Sequence, residues 1–345
     1  MTEATFKNYS SKINGCLSAH GISKITPFKS KPLEKKIVDF PLSLEIKQNT
    51  FEVLAKLGLK PETTQSVVKN ILTFQENLLP EQHKIFPQRN VAQTLVCYDF
   101  LPHADFPQGT LAPLILFSHG GSIRPETTLK SAFLPLITAT AEEKRTPVIL
   151  AACDHRGSES DQAKTGYNLE DRKTDLEILL SYMLNSGFKS FESKGLKWNG
   201  DIVLIGNSMG GHVVAMTSET LMPKSIILAQ PAAYSKQAHF APLGEEFSAH
   251  IRIPDSWSAS PAFDALERYL FNGGQALILG AENDEKVPGG VTNRYIKEVA
   301  YAYVRRAVAA GEINSCNVGY DLIPGGHTKM TDKEILDVVA VVATR

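Results

Sequence analysis

The stretch Gly206-Asn207-Ser208-Met209-Gly210 places one serine between two glycines in the pattern G-x-S-x-G. The apolar run Ile202–Ile205 before it reads as a strand, and "MGGHVVAMTSETL" from Met209 reads as a helix. A serine hydroxyl is a poor nucleophile at neutral pH unless a base lies within hydrogen-bond reach. In a tight strand-to-helix turn its Oγ projects above the sheet, near the positive end of the helix that follows. The glycines lack the Cβ atoms that would prevent so tight a turn. Ser208 is therefore the candidate nucleophile. The pentapeptide alone is a weak signal, and its place between a strand and a helix gives it weight; the plain alternative is a turn and nothing more.

The base and its partner follow other apolar runs. His327 lies in "LIPGGHT", directly after the last expected strand, at the same sheet edge as Ser208. It is the candidate base, against the alternative of an exposed loop histidine. A base of this kind needs a carboxylate to fix its tautomer and stabilise the imidazolium. "LILGAENDEKVP" offers Glu282, Asp284 and Glu285 after the penultimate strand. Asp284 is preferred because it opens Asp-x-x-Val-Pro, a turn that aims its first residue inward. Glu282 is its rival, and simple solvation of an acidic loop is the alternative to both. Acyl transfer also needs donors for an oxyanion. The backbone N–H of Met209 is one candidate, and that of Gly121 in His119-Gly120-Gly121-Ser122 is the other, with Gly120 or Ser122 as alternatives. His119 suits a loop-organising role, and His212, four residues after Ser208, faces packing or solvent on the helix.

These residues need a scaffold that brings strand ends together. "VAQTLVCYDF", "LILFS", "TPVILAAC", "DIVLIG", "KSIILAQP", "QALILG" and "NVGYDLIPG" read as strands. Helical patterns fall between them, over about 125–143, 169–187, 209–221 and 292–310, and a last one over 332–343. Strands this apolar, alternating with helices, predict a parallel sheet covered on both faces. Ligands bind beyond the carboxyl ends of such strands.

Ahead of this domain, residues 1–40 hold seven lysines against Glu3, Glu34 and Asp39, a balance of +4. They read as a basic, loosely ordered leader, or else as an arm for a partner or an anionic membrane surface. Residues 41–85 carry two helical patterns, the second running from Pro61 through Val67, Val68, Ile71, Leu72 and Phe74 to Pro80, and read as a helical appendage. The domain proper is 86–345. The net charge of −1 gives no footprint for nucleic acid. Cys16, Cys97, Cys153 and Cys316 are scattered, which argues against a zinc site or a disulfide scaffold and predicts a cytoplasmic, reducing setting. Residues 1–20 lack the apolar centre of a secretory signal. No run of about 18 apolar residues is present, so no transmembrane segment is expected.

Taken together, "FSHGG", "CDHRGSES", "GNSMGG", "AENDEKVP" and "IPGGHT" resemble, in content and order, the α/β-hydrolase superfamily over about residues 90–345. The chain order Ser208, Asp284, His327 is that family's order of nucleophile, acid and base. "DHRGSES" is similar to a loop of the serine aminopeptidase, monoacylglycerol-lipase-like and dienelactone-hydrolase-like branches, where Asp154 and Arg156 would stabilise the loop through an ion pair, with direct substrate contact as the alternative. Asparagine before the serine is also similar to the carbon–carbon bond hydrolases, but their glycine-proline-rich oxyanion loop is missing. Ser208 in place of aspartate argues against haloalkane dehalogenases.

The resemblance implies an α/β-hydrolase fold: a mostly parallel central sheet with helices on both faces, plus a short lid over about 234–272 containing Phe240, Phe247, Trp257 and Phe263, with plain packing of that excursion onto the core as the alternative. It implies a serine hydrolase acting on a small-molecule carboxylic ester or thioester through an acyl-enzyme. A peptidase, amidase or carbon–carbon bond hydrolase on the same three residues is the alternative. A silent hydrolase fold used for binding or scaffolding is the rival from another class. No metal or organic cofactor is implied, and the pattern fixes no particular substrate.

Overall fold

The structure, a computed structural model, describes residues 22–27, 68–76, 91–101, 105–121, 146–153, 155, 166–281, 283–310, 318–323 and 326–327. Among these, nine strands form one sheet: β1 (Ile22–Pro27), β2 (Val68–Glu76), β3 (Val91–Leu101), β4 (Thr110–Ser118), β5 (Val148–Cys153), β6 (Leu196–Asn207), β7 (Ser225–Ala229), β8 (Ala276–Ala281) and β9 (Val318–Ile323). Their order is β1-β2-β3-β5-β4-β6-β7-β8-β9. The pairs among β1, β2, β3 and β5 are antiparallel, and every pair from β5 onward across the sheet is parallel.

The centre of this sheet is buried on both faces. Successive strand residues point to opposite sides, yet Leu114, Ile115, Leu116 and Phe117 are all at most 1% exposed. On one face, Leu114, Leu116, Ile149, Ala151, Leu204, Ile226, Leu228 and Ile278 join one apolar core with residues from the helices. The helices are α1 (Leu169–Tyr182), α2 (Lys189–Glu192), α3 (Met209–Leu221), α4 (Lys236–Phe240), α5 (Glu245–Ile251), α6 (Pro261–Phe271) and α7 (Gly289–Ala310). Complete burial of one such Leu or Ile is worth about 1.5–3 kcal/mol. α1 starts where it does because Asn168 and Asp171 form a reciprocal capping box.

Register sets the working edge of the sheet. Ser118 pairs with Gly206, Asn207 with Ala229, Ala229 with Leu279, and Ala281 with Ile323. Five strands therefore run out almost level, and the residues just beyond them meet.

Three expectations need correction. The pattern read as a helix after Pro61 is the strand β2 over Val68–Glu76, paired with β3 along Val68↔Tyr98 to Gln75↔Val91. Its β-branched and aromatic residues fit strand geometry, and over nine residues helical spacing and alternation overlap; a ready partner in β3 decides between them. The region read as a loosely ordered basic leader likewise contains β1, paired with β2. The rest of residues 1–85 lies outside the described residues, as do the helices expected at 125–143 and 332–343. The segment read as a lid is partly body: α6 lies along α3 and α7, burying Ala262, Phe263, Ala265, Leu266, Tyr269 and Leu270. The excursion from the sheet is thus α4, α5 and the 3-10 turn Ser256–Ala259.

Candidate active site

Ser208 stands between β6 and α3 at φ 52°, ψ −118°, a conformation that a residue with a side chain rarely adopts. Such a residue stores roughly 1–3 kcal/mol of strain and persists only when its surroundings over-determine it. Here the strand-end segment of β7 supplies the hold. Ser208 N–H donates to the Ala229 carbonyl at 2.9 Å, and the Ser208 carbonyl accepts from the N–H groups of Ala232 and Gly211, both at 2.9 Å. The Tyr295 hydroxyl, reaching from α7, donates to the Ala232 carbonyl at 3.0 Å and braces that segment. The motif glycines are required by contact. A Cβ on Gly206 would stand 2.4 Å from the Gly210 carbonyl oxygen, and one on Gly210 would stand 2.1 Å from that of Ser118.

His327 Nε2 is 2.8 Å from Ser208 Oγ, and its Nδ1 is 2.8 Å from Asp284 Oδ2. The side chains of His327 and Asp284 are each 5% exposed, so this series is shielded from water. The other carboxylate oxygen of Asp284 accepts from the N–H groups of Lys286 at 2.9 Å and Val287 at 2.8 Å. The Asp-x-x-Val-Pro turn thus ties its first side chain inward, as the sequence predicts. With Asp284 ionised, His327 Nδ1–H donates to it, leaving Nε2 free to accept the serine proton. Glu282 lies outside the described residues. Glu285, the third acid of the same run, accepts the His327 backbone N–H at 3.1 Å. The hydrogen bonds from its own N–H and from that of His327 hold its carboxyl below the usual range. Its position one residue after Asp284 is the only sequence signal it gives.

The loop after β4 lies against the same turn. A Cβ on Gly120 would be 3.5 Å from Ser208 Cβ, and one on Gly121 would be 3.3 Å from the Met209 methyl carbon. Met209 opens α3, so its N–H has no acceptor inside the helix. His119 does organise this loop: Nδ1–H donates to the Gly120 carbonyl at 2.7 Å, and Nε2 accepts from His155 N–H at 3.4 Å. In a trans peptide the carbonyl and the next N–H point in opposite directions. Anchoring the Gly120 carbonyl to His119 therefore aims the Gly121 N–H away from that ring. Burial, then the nearby His155 and Arg172 charges, push the His119 pKa well down and keep it neutral, as this bonding requires.

Beneath it His155 Nε2 meets Ser118 Oγ at 2.9 Å, and Nδ1 faces Asp175 Oδ2 at 3.6 Å. His155 sits inside "DHRGSES", where nothing in the motif marks it for this contact; Asp154, Arg156 and Ser122 lie outside the described residues. Asn207 Nδ2 donates to Gln230 Oε1 at 3.3 Å beside the serine, a pairing that no motif announces. Among the described residues no group of three or more His, Cys, Asp or Glu is placed to hold a metal ion. Nor is any helix among them long and apolar enough to cross a membrane.

No protein-family model and no curated protein matches the chain. Among solved structures it is similar to Est1E from Butyrivibrio proteoclasticus, at 16% identity over 73% of this chain and 92% of that one, with a TM-score of 0.45. It is similar also to a lipase/esterase from Lactobacillus plantarum (14% identity, 80% and 96% of the two chains, TM-score 0.45). A third is an alpha-beta serine hydrolase homologue from Coxiella burnetii (14% identity, 72% and 91%, TM-score 0.39). The strand order and the turn at Ser208, rather than these likenesses, define the fold, which is that of the α/β hydrolases.

Proposed function

We propose that the protein is a serine hydrolase that cleaves carboxylic esters or thioesters through an acyl-enzyme on Ser208. The observation that carries this reading is the unbroken hydrogen-bond series from Asp284 through His327 to Ser208. His327 takes the proton of Ser208 Oγ as the oxygen attacks the carbonyl carbon. Asp284 holds the imidazole and stabilises its charge. The Met209 and Gly121 N–H groups receive the oxyanion, each worth about 3 kcal/mol of transition-state stabilisation. His327 then returns the proton to the departing alcohol or thiol. Water, deprotonated by the same ring, attacks the acyl-enzyme and releases the acid. Peptides and amides rank behind esters because an amine leaves only once protonated. The scattered cysteines support a reducing, cytoplasmic setting for this chemistry.

A fluorophosphonate probe should label the intact protein and fail to label Ser208→Ala. Absence of labelling in both would move the protein to the silent, binding-only reading. p-Nitrophenyl esters of increasing acyl length, assayed on the unlabelled enzyme, then size the pocket.

A further inference from the structure

The excursion after β7 is fastened to the body by a buried series of side chains that the proposed chemistry does not use. Glu170 on α1 has its carboxyl held down at about 2: burial opposes this, but His239 and Lys173 outweigh it. As a carboxylate it only accepts, so His239 Nε2–H donates to Glu170 Oε2 at 2.8 Å. His239 Nδ1 meets His212 Nε2 at 3.0 Å. His212 Nδ1 in turn faces the Ser260 hydroxyl at 3.4 Å. Every nitrogen of the two rings has a partner, and both rings are 0% exposed. The series links α4 and the start of α6 to α1 and to α3, the helix that follows Ser208. Two further bonds lie beside it. Leu243 N–H donates to the Tyr167 carbonyl at 2.8 Å, and Asn168 Nδ2 to the Phe240 carbonyl at 3.3 Å. At the far end the Trp257 ring lies where a Cβ on Gly290 would be, 2.8 Å from its edge, at the start of α7.

From this we infer that residues 236–259 are a fixed cap and not a swinging lid, and that the substrate is a single dissolved ester molecule rather than an aggregated lipid. The inference rests on the serine-hydrolase reading for its chemistry, but the immobility of the cap stands apart from it. An enzyme switched on at a lipid surface must move its cover to admit substrate. Moving this cover would part His239 from both Glu170 and His212 and break a hydrogen-bond series between side chains that are largely shielded from water. A lipid surface supplies nothing that replaces those bonds. Phe240, Ile251 and Ile253 on the cap are 50%, 43% and 55% exposed already, so contact with an apolar phase gains nothing by opening it.

Two measurements test this. Hydrolysis of tributyrin, followed through its solubility limit, should saturate smoothly, changing less than twofold at the limit. A tenfold or greater step there overturns the inference. Amide hydrogen exchange of 236–259 should be slowed to within about tenfold of α3; exchange as fast as in an unstructured peptide overturns it. This second readout needs no activity, so a protein that labels with no fluorophosphonate sinks the hydrolase reading and leaves the cap to be decided by exchange. His239→Leu should speed exchange in the cap while α7 is unchanged. If that variant does not fold, Glu170→Gln is the milder break. Cap exchange unaltered in whichever variant folds overturns the assignment of the latch.

Discussion

Ser208 and His327 stand 119 positions apart in the chain, yet their side chains meet at 2.8 Å. The meeting depends on Asp284 as much as on either partner, because the ring must present an unprotonated Nε2. Asp284→Asn would leave the packing in place and invert the tautomer, as the amide can donate to Nδ1. Turnover should fall by about 10⁴-fold, the size of the same change in the serine-protease triad. A steady-state assay on p-nitrophenyl butyrate checks this, and near-normal turnover would transfer the role to Glu282. All three positions could be named from sequence because each follows an apolar run whose end must lie at the sheet's carboxyl edge. His155 and Gln230 could not, nor could the backbone role of Glu285. They act on backbone groups or on other side chains, and nothing in their spacing betrays a contact made in three dimensions.

At the level of elements, the turn between β6 and α3 is the most constrained part of the site. Gly210→Ala sets a methyl carbon 2.1 Å from the Ser118 carbonyl oxygen, where only backbone can give way. Overpacking of this sort costs about 1–3 kcal/mol, and the loop after β4 would be displaced with it. Urea unfolding should show that loss, with at least a tenfold drop in turnover; unchanged values for both would contradict the account of the turn. Strand content was legible wherever a run was too apolar for anything but the sheet interior, as in β4, β5 and β7. It failed at β2, a short mixed run whose partner strand, not its own spacing, decides its form. The boundary of the cap failed for a related reason. Aromatics in α6 look the same whether they roof a pocket or pack on α3, and only the packing distinguishes them.

For the whole molecule, buried titratable groups set the response to pH. Burial, and for His119 and His212 a neighbouring histidine, lowers the pKa of His119, His155 and His212 below 6.5. The unfolded chain takes up these protons first as pH falls. The stability these rings contribute is therefore complete above pH 6.5 and is lost as pH drops from there toward their folded values. Each imidazole contributes a slope of at most about 1.4 kcal/mol per pH unit. Glu177 has the opposite sign. Burial lifts its carboxyl to about 7, so its contribution is complete below 4.5 and is lost as pH rises through 7. Between pH 4.5 and 6.5 three rings outweigh one carboxyl. The urea midpoint at pH 5 should lie below that at pH 7, and His212→Gln should flatten the difference. A midpoint that is equal or higher at pH 5 would refute this balance.

The first two strands have a bearing on how the chain tolerates shortening. β2 satisfies β3 along eight consecutive positions, from Val68↔Tyr98 to Gln75↔Val91. A version trimmed to begin after residue 85 would keep Ser208, Asp284 and His327, but would bare that whole flank of β3. Unclaimed strand flanks recruit one another. The trimmed protein should leave a sizing column as dimers and larger species and turn cloudy with time, whereas a clear, monomeric peak would mean the flank finds another cover. Cutting away the front of this protein is thus a change in its company as much as in its length.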